Sequence, residues 1–236
     1  MIKPSFTRLP VLCAAALAVT LAAGCGLMKP TATPQPSFYS LDSAPAAARP
    51  ASRVGGAALS STAPTLIVNP PHAAAGYDSK RIIYLREPHK LEYYAHNQWV
   101  DTPARMYAPL IVAAVENTRA FRAVVPTPSA AAGDMRLDTE IVRLQHDFLS
   151  QPSRARFTLR AYIVDNTTRR VLAWREFDET SPASSEDPRG GVIAANRAVQ
   201  MVLEQLAAFC AGAAANWLPP NVENLKRAEG RSLSGR

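Results

Sequence analysis

The chain has 236 residues, 47% of them hydrophobic and 19% charged, with a formal net charge of +7. That length supports one ordinary domain with a real core, and the three cysteines, Cys13, Cys25 and Cys210, leave no pair for a disulfide framework once the N-terminus is processed as argued below. The positive balance suits anionic lipid or an acidic partner; nucleic acid is set aside by the export address that follows.

Residues 1–24 read as a signal peptide. Lys3 and Arg8 form a short basic region, and Leu12 to Ala23 is an uncharged apolar run too short to span a bilayer comfortably. It ends in Leu21-Ala22-Ala23-Gly24-Cys25. Small residues at Ala23 and Gly24 suit a peptidase that needs a slim, extended backbone. The cysteine after them resembles the bacterial lipobox, with Leu21 one place earlier than the usual leucine. The resemblance implies a diacylglyceryl group on the Cys25 thiol and a fatty acyl (palmitate-type) group on its amine. Several chains hold firmly, since each buried methylene contributes about 0.8 kcal/mol. Gly26, where an aspartate would retain the protein, implies by resemblance to enterobacterial lipoproteins an outer-membrane address: the inner leaflet, facing the periplasm.

Residues 25–37 form the lipidated N-terminus and a Pro/Thr-rich tether, and a single domain is expected over 38–218. Phe38 to Asp42 reads as a short strand. Residues 43–64, rich in Ala, Pro, Ser and Gly, read as a long disordered loop. Thr65 to Asn69 is a buried-type strand stopped by Pro70-Pro71. Arg81 to Arg86 and Lys90 to Ala95 pair as a hairpin. Thr102-Pro103 offers a helix N-cap and first turn, followed by Tyr107, Leu110, Ile111, Ala114, Thr118 and Phe121 at helical spacing. Pro109 implies a kink, or a start nearer Tyr107. Arg122 to Val125 is a short strand.

Met135 to Phe148 alternates with a fault. Met135, Leu137, Thr139 and Ile141 share one parity, and Val142, Leu144, His146 and Phe148 the other, which predicts a β-bulge at Ile141-Val142. Ala155, Phe157, Leu159, Ala161 and Ile163 alternate with Arg154, Arg156, Thr158, Arg160 and Tyr162. After a turn at Asp165 to Thr168, Arg170 to Phe177 returns, completing an antiparallel meander. Val192, Ala195, Val199, Val202, Leu203, Leu206 and Phe209 make the stripe of a last helix beginning after Asp187-Pro188. Residues 219–236 form a polar tail read as disordered. The fold class is α+β: a mostly antiparallel sheet with two helices packed on one face.

The sequence makes no positive case for an enzyme. His72, His89, His96 and His146 have no metal-like spacing, and no nucleophile elbow or phosphate-binding glycine loop occurs. No metal or other cofactor is expected. Gly190-Gly191 reads as a plain helix entry in preference to an anion nest, and Cys210 as a small buried apolar residue. Arg154, Arg156 and Arg160 on one strand face are either a solvated outer face or a basic stripe for lipid headgroups or an acidic partner. Tyr84, Tyr93, Tyr94 and Trp99 are either packing residues or a partner-contact surface.

The order Phe38-Tyr39-x-Leu41, Leu66-Ile67-Val68-x-Pro70, Tyr77-Asp78-x-x-Arg81-Ile82-x-Tyr84, Leu91-x-Tyr93-Tyr94-x-x-Asn97-Gln98-Trp99, Leu137-x-x-Glu140-Ile141 and Ala173-x-Arg175-x-Phe177, after a lipobox and before an alanine-rich closing helix, resembles the ABC-type transport auxiliary lipoprotein family. The resemblance covers about Phe38 to Phe209. It implies an accessory subunit, without catalysis or cofactor, of an ABC transport system for (phospho)lipid, whose partner is a protein with an MCE (mammalian cell entry) domain. The membrane is met through the N-terminal lipid, and a homo-oligomer is compatible with the pattern. The competing reading, an envelope-assembly or structural lipoprotein with no transport role, shares the same anchor and fold.

Overall fold

The computed structural model describes residues 35–42 and 63–218. The expected signal peptide and the lipid site at Cys25 lie outside the described residues. So do all but the last positions of the tether and of the 43–64 loop, and the whole 219–236 tail.

In chain order the elements are β1 (Ser37–Tyr39), β2 (Thr65–Val68), β3 (His72–Ala73), β4 (Arg81–Glu87), β5 (Lys90–Trp99), α1 (Pro103–Asn117), β6 (Ala123–Pro126), β7 (Met135–Asp147), β8 (Arg154–Asp165), β9 (Val171–Pro182) and α2 (Pro188–Ala215). All nine strands belong to one sheet, and the class is α+β. The long ladders, β4–β5, β7–β8 and β8–β9, are antiparallel. Short parallel pairs complete the sheet: β1–β5, β2–β6, β2–β7, β3–β7 and β4–β7. β2, β3 and β4 thus dock in series along one edge of β7, while β8 takes the other. Pro70 and Pro71 lack the N–H a ladder needs, which ends β2 before the two-residue β3, a strand the sequence reading did not anticipate. β5 and β9 run on to Trp99 and Pro182, past their expected ends.

The bulge falls where the alternation breaks. Ile141 faces Leu159, but Arg143 faces Thr158, so Val142 is unpaired. The extra residue flips the parity and keeps Leu144 and His146 on the buried side with Met135, Leu137 and Ile141. β8 contributes Ala155, Phe157, Leu159, Ala161 and Ile163 to the same core.

α1 starts at Pro103 and runs through Pro109. The carbonyl that Pro109 leaves without a donor belongs to exposed Arg105, where water can serve it. Thr102 occupies the N-cap with extended backbone but makes no side-chain cap bond. In α2, Asp187 does cap, accepting the Gly190 N–H at 2.7 Å, so the glycine pair is a helix entry. α2 is long and apolar enough to cross a membrane, yet Val192, Ala195, Val199, Val202, Leu203 and Leu206 are buried in the core. Cys210 is buried there too, its thiol pushed up to about 12 by desolvation, so it stays protonated and unreactive.

Tyr107 is fully buried and its hydroxyl has no hydrogen-bond partner among the described residues. An unpaired buried hydroxyl costs on the order of 1–3 kcal/mol. Tyr107→Phe keeps the T-shaped contact with Phe157 and is expected to raise stability by about 1 kcal/mol, read as a higher urea midpoint with unchanged m-value.

Candidate functional site

Tyr84 of β4 and Tyr94 of β5 come together on the helix side of the sheet, beside the end of β7. Their ring centroids lie 4.5 Å apart. Phe148 stands edge-on to Tyr84 at 6.0 Å, and His146 lies 4.2 Å from Phe148. α2 begins at this point: Gly191 rests directly on the His146 ring. Beyond it no helix among the described residues covers the sheet; Tyr84, Tyr94 and Phe148 are half-buried and form an aromatic platform. The exposed Arg86 guanidinium lies over the rings of Tyr84 (5.0 Å) and Phe148 (5.9 Å). Arg86 has no ion pair among the described residues, so its charge is available to a partner.

A hydrogen-bonded chain fixes the platform from beneath. His146, 2% exposed, holds the Tyr94 hydroxyl at Nδ1 (2.8 Å) and Ser153 Oγ at Nε2 (2.8 Å). The Ser153 N–H donates to Glu186 Oε1 at 2.9 Å. In the neutral imidazole one ring nitrogen donates and the other accepts, so His146 links the two hydroxyls. A serine–histidine pair at 2.8 Å has the spacing of a nucleophile and its base. Here Ser153 is fully buried and its backbone N–H is tied to Glu186, so the pair braces the loops around it. Burial lowers the His146 pKa below its ordinary 6.5, against the opposing pull of Glu186, Asp147 and Asp187.

The sign of the linkage follows. Unfolded His146 takes up its proton near 6.5, and the folded residue only at lower pH. Its contribution to stability is full above about 6.5 and is lost as pH falls from there through the folded value. Glu186 and Asp187, both lowered from ordinary carboxylate values, act further down. The urea midpoint is expected to fall between about pH 7 and pH 5 in the native chain, and to be flatter over that window in His146→Gln. A native profile as flat as the variant's would refute the assignment.

The remaining expected positions fall elsewhere. Tyr93 is exposed on the opposite strand parity, beneath Arg81 at 4.8 Å. Trp99, 2% exposed, is a core residue and cannot meet a partner directly. Two of the three row arginines, Arg156 and Arg160, are paired within the chain. Arg156 Nε donates to Asp178 at 2.9 Å and holds that carboxyl below its ordinary range. Arg160 reaches both Glu140 (3.1 Å) and Glu176 (2.8 Å). The acids come from β7 and β9, and only cross-strand register reveals them. Arg154 is exposed and outside this network. Arg86, Phe148, His146 and Ser153 were not singled out from sequence; the shared parity of His146 and Phe148 after the bulge was the available signal, and Ser153 offered none. Among the described residues, no group of three His, Cys, Asp or Glu side chains gathers to hold a metal.

A family model described as the ABC-type transport auxiliary lipoprotein component matches residues 39–207. A protein from Xanthomonas campestris of known crystal structure is similar at 26% identity, with a TM-score of 0.59, covering 64% of this chain and 85% of that one. A second solved structure, of an uncharacterized protein, shares the fold at 10% identity with a TM-score of 0.57, covering 75% of this chain and 99% of that one. No curated protein matches.

Proposed function

Because this chain belongs to the ABC-type transport auxiliary lipoprotein family, we propose that it is an accessory subunit of an ABC transport system that works by docking, without catalysis. Its anchor is the lipid on Cys25, its place the periplasmic side of the outer membrane, and its partner an MCE-domain protein of a lipid transport system. The platform of Tyr84, Tyr94, Phe148 and Arg86 carries this reading. It is aromatic, held by hydrogen bonds to buried His146, left uncovered by α2, and topped by an arginine without an acidic partner among the described residues. These are the properties of an interface hot spot, where Tyr and Arg contribute most and little ordering remains to be done on binding.

The test is isolation of the acylated protein from gently solubilised envelopes. Recovery of an MCE-domain protein or another ABC subunit is the expected result. Recovery of no transporter subunit, under conditions that preserve other envelope complexes, would contradict it.

A further inference from the structure

We propose that the β8–β9 hairpin tip, Arg169-Arg170-Val171-Leu172 with Trp174, is a second membrane contact that lies shallowly in an anionic phospholipid surface. The idea rests on the reading of the chain as a membrane-tethered lipoprotein, but its physical basis is separate. Val171 is 55% exposed, Leu172 46% and Trp174 63%, the most exposed large apolar side chain in the described chain. Trp174 lies nearly parallel to Tyr162 across the ladder, with 6.4 Å between centroids. Arg169 and Arg170 precede them, both exposed and neither in an ion pair among the described residues. Oδ1 of the nearby Asp165 carboxylate accepts the N–H groups of Thr167 (2.9 Å) and Thr168 (2.6 Å), and Asp165 forms no ion pair with either arginine.

α2 brings further apolar surface to the same end. Gln205 bonds Glu179 and Phe209 meets Phe177, so helix and strand run antiparallel, four helical residues matching two strand residues at about 6 Å each. Continuing that register brings Ala213, near the end of α2, level with Arg175, so the helix ends toward the same tip. Beyond the helix Leu218 is 43% exposed.

The composition selects a bilayer as the occupant. Two free arginines beside valine, leucine and an exposed tryptophan match the headgroup region, where cations meet phosphate and indole rings sit at the polar boundary. The surface is the turn end of a β-hairpin. Among the described residues β9 pairs only with β8, so its outer edge has free backbone groups that hydrocarbon would not tolerate; the contact must stay in the interfacial layer. The tether between Cys25 and Pro36 spans up to about 35 Å when fully extended.

The test needs no acyl chain. Residues 25–236 carrying Cys25→Ser are titrated with vesicles rich in phosphatidylglycerol and with vesicles of phosphatidylcholine alone. Tryptophan emission should shift to the blue with the anionic vesicles, and the shift should be absent in Trp174→Phe. Arg169→Glu with Arg170→Glu should weaken partitioning by about 30-fold or more, and high salt should remove the preference for anionic vesicles. Val171→Ser with Leu172→Ser should weaken binding to both vesicle types and keep the salt dependence. Equal partitioning into both vesicles, an unmoved emission, or adducts to a protein alone when a photo-crosslinker replaces Trp174 in the envelope would overturn the proposal. Membrane flotation of the acylated protein reports on Cys25 separately, so loss of the anchor and failure of the tip give different results.

Discussion

Gly191→Ala is expected to destabilise the protein by about 3 kcal/mol, one of the larger single effects available in this chain. A methyl group there would overlap Nδ1 of His146, with Cε1 and Cγ only 2.8 Å away. The ring cannot swing aside cheaply. Tyr94 and Ser153 hold its two nitrogens at 2.8 Å each, and Phe148 lies against its face. Either the ring moves and leaves buried hydroxyls unpaired, at roughly 1–3 kcal/mol, or α2 lifts from the sheet. For a domain of this size 3 kcal/mol corresponds to a loss of about 6–12 °C in Tm. A double-mutant cycle isolates the cause. With His146→Ala already present the methyl has room, and Gly191→Ala should then cost less than about 1 kcal/mol. Additive costs would show that the clash with His146 is not the reason for the glycine.

Tyr84→Ala combined with Arg86→Glu is expected to weaken partner binding by at least about 30-fold, the effect of losing one aromatic hot spot and reversing its charge. Arg86 is exposed, and Tyr84 is half-buried at the rim of the core, so the thermal midpoint should change little. Held by Tyr94, Phe148 and Arg86, Tyr84 has little freedom left to lose on binding. The comparison is Arg160→Gln on the other sheet face. There the guanidinium serves Glu140 and Glu176 within the chain, and such solvent-exposed pairs contribute little to stability. Binding of the immobilised chain to the periplasmic part of its partner should be unaffected by Arg160→Gln. If both variants weaken binding equally, the platform has no special role.

What could be read from the sequence was local. The meander, the bulge at Val142 and the closing helix show as alternation, a phase fault and a 3.6-residue stripe, because each reflects one element facing one core. The parallel docking of β2, β3 and β4 along β7 left no such trace: the partners are distant in sequence, and parallel pairing imposes no pattern beyond apolarity. The site divides the same way. Tyr84 and Tyr94 were legible as aromatics on a hairpin. Trp99 has the same chemistry but the opposite fate, because it lies in the core beside Ile82 and Val192 at the start of α2 while they lie beyond it. Arg154, Arg156 and Arg160 look basic in one dimension. In three, Asp178, Glu176 and Glu140 stand across from two of them. The His146–Ser153–Glu186 chain joins three separate segments and had no sequence pattern to announce it.

The most direct measurement is site-specific photo-crosslinking from the platform in intact cells. A photoreactive phenylalanine analogue at Phe148 keeps an aromatic ring in place beside Tyr84 and His146. The account predicts a covalent adduct with a periplasmic subunit of an ABC transport system, lost when Arg86→Glu is added. No adduct from Phe148, while the same group at Thr180 on the far sheet face captures that subunit, would contradict the assignment of this surface.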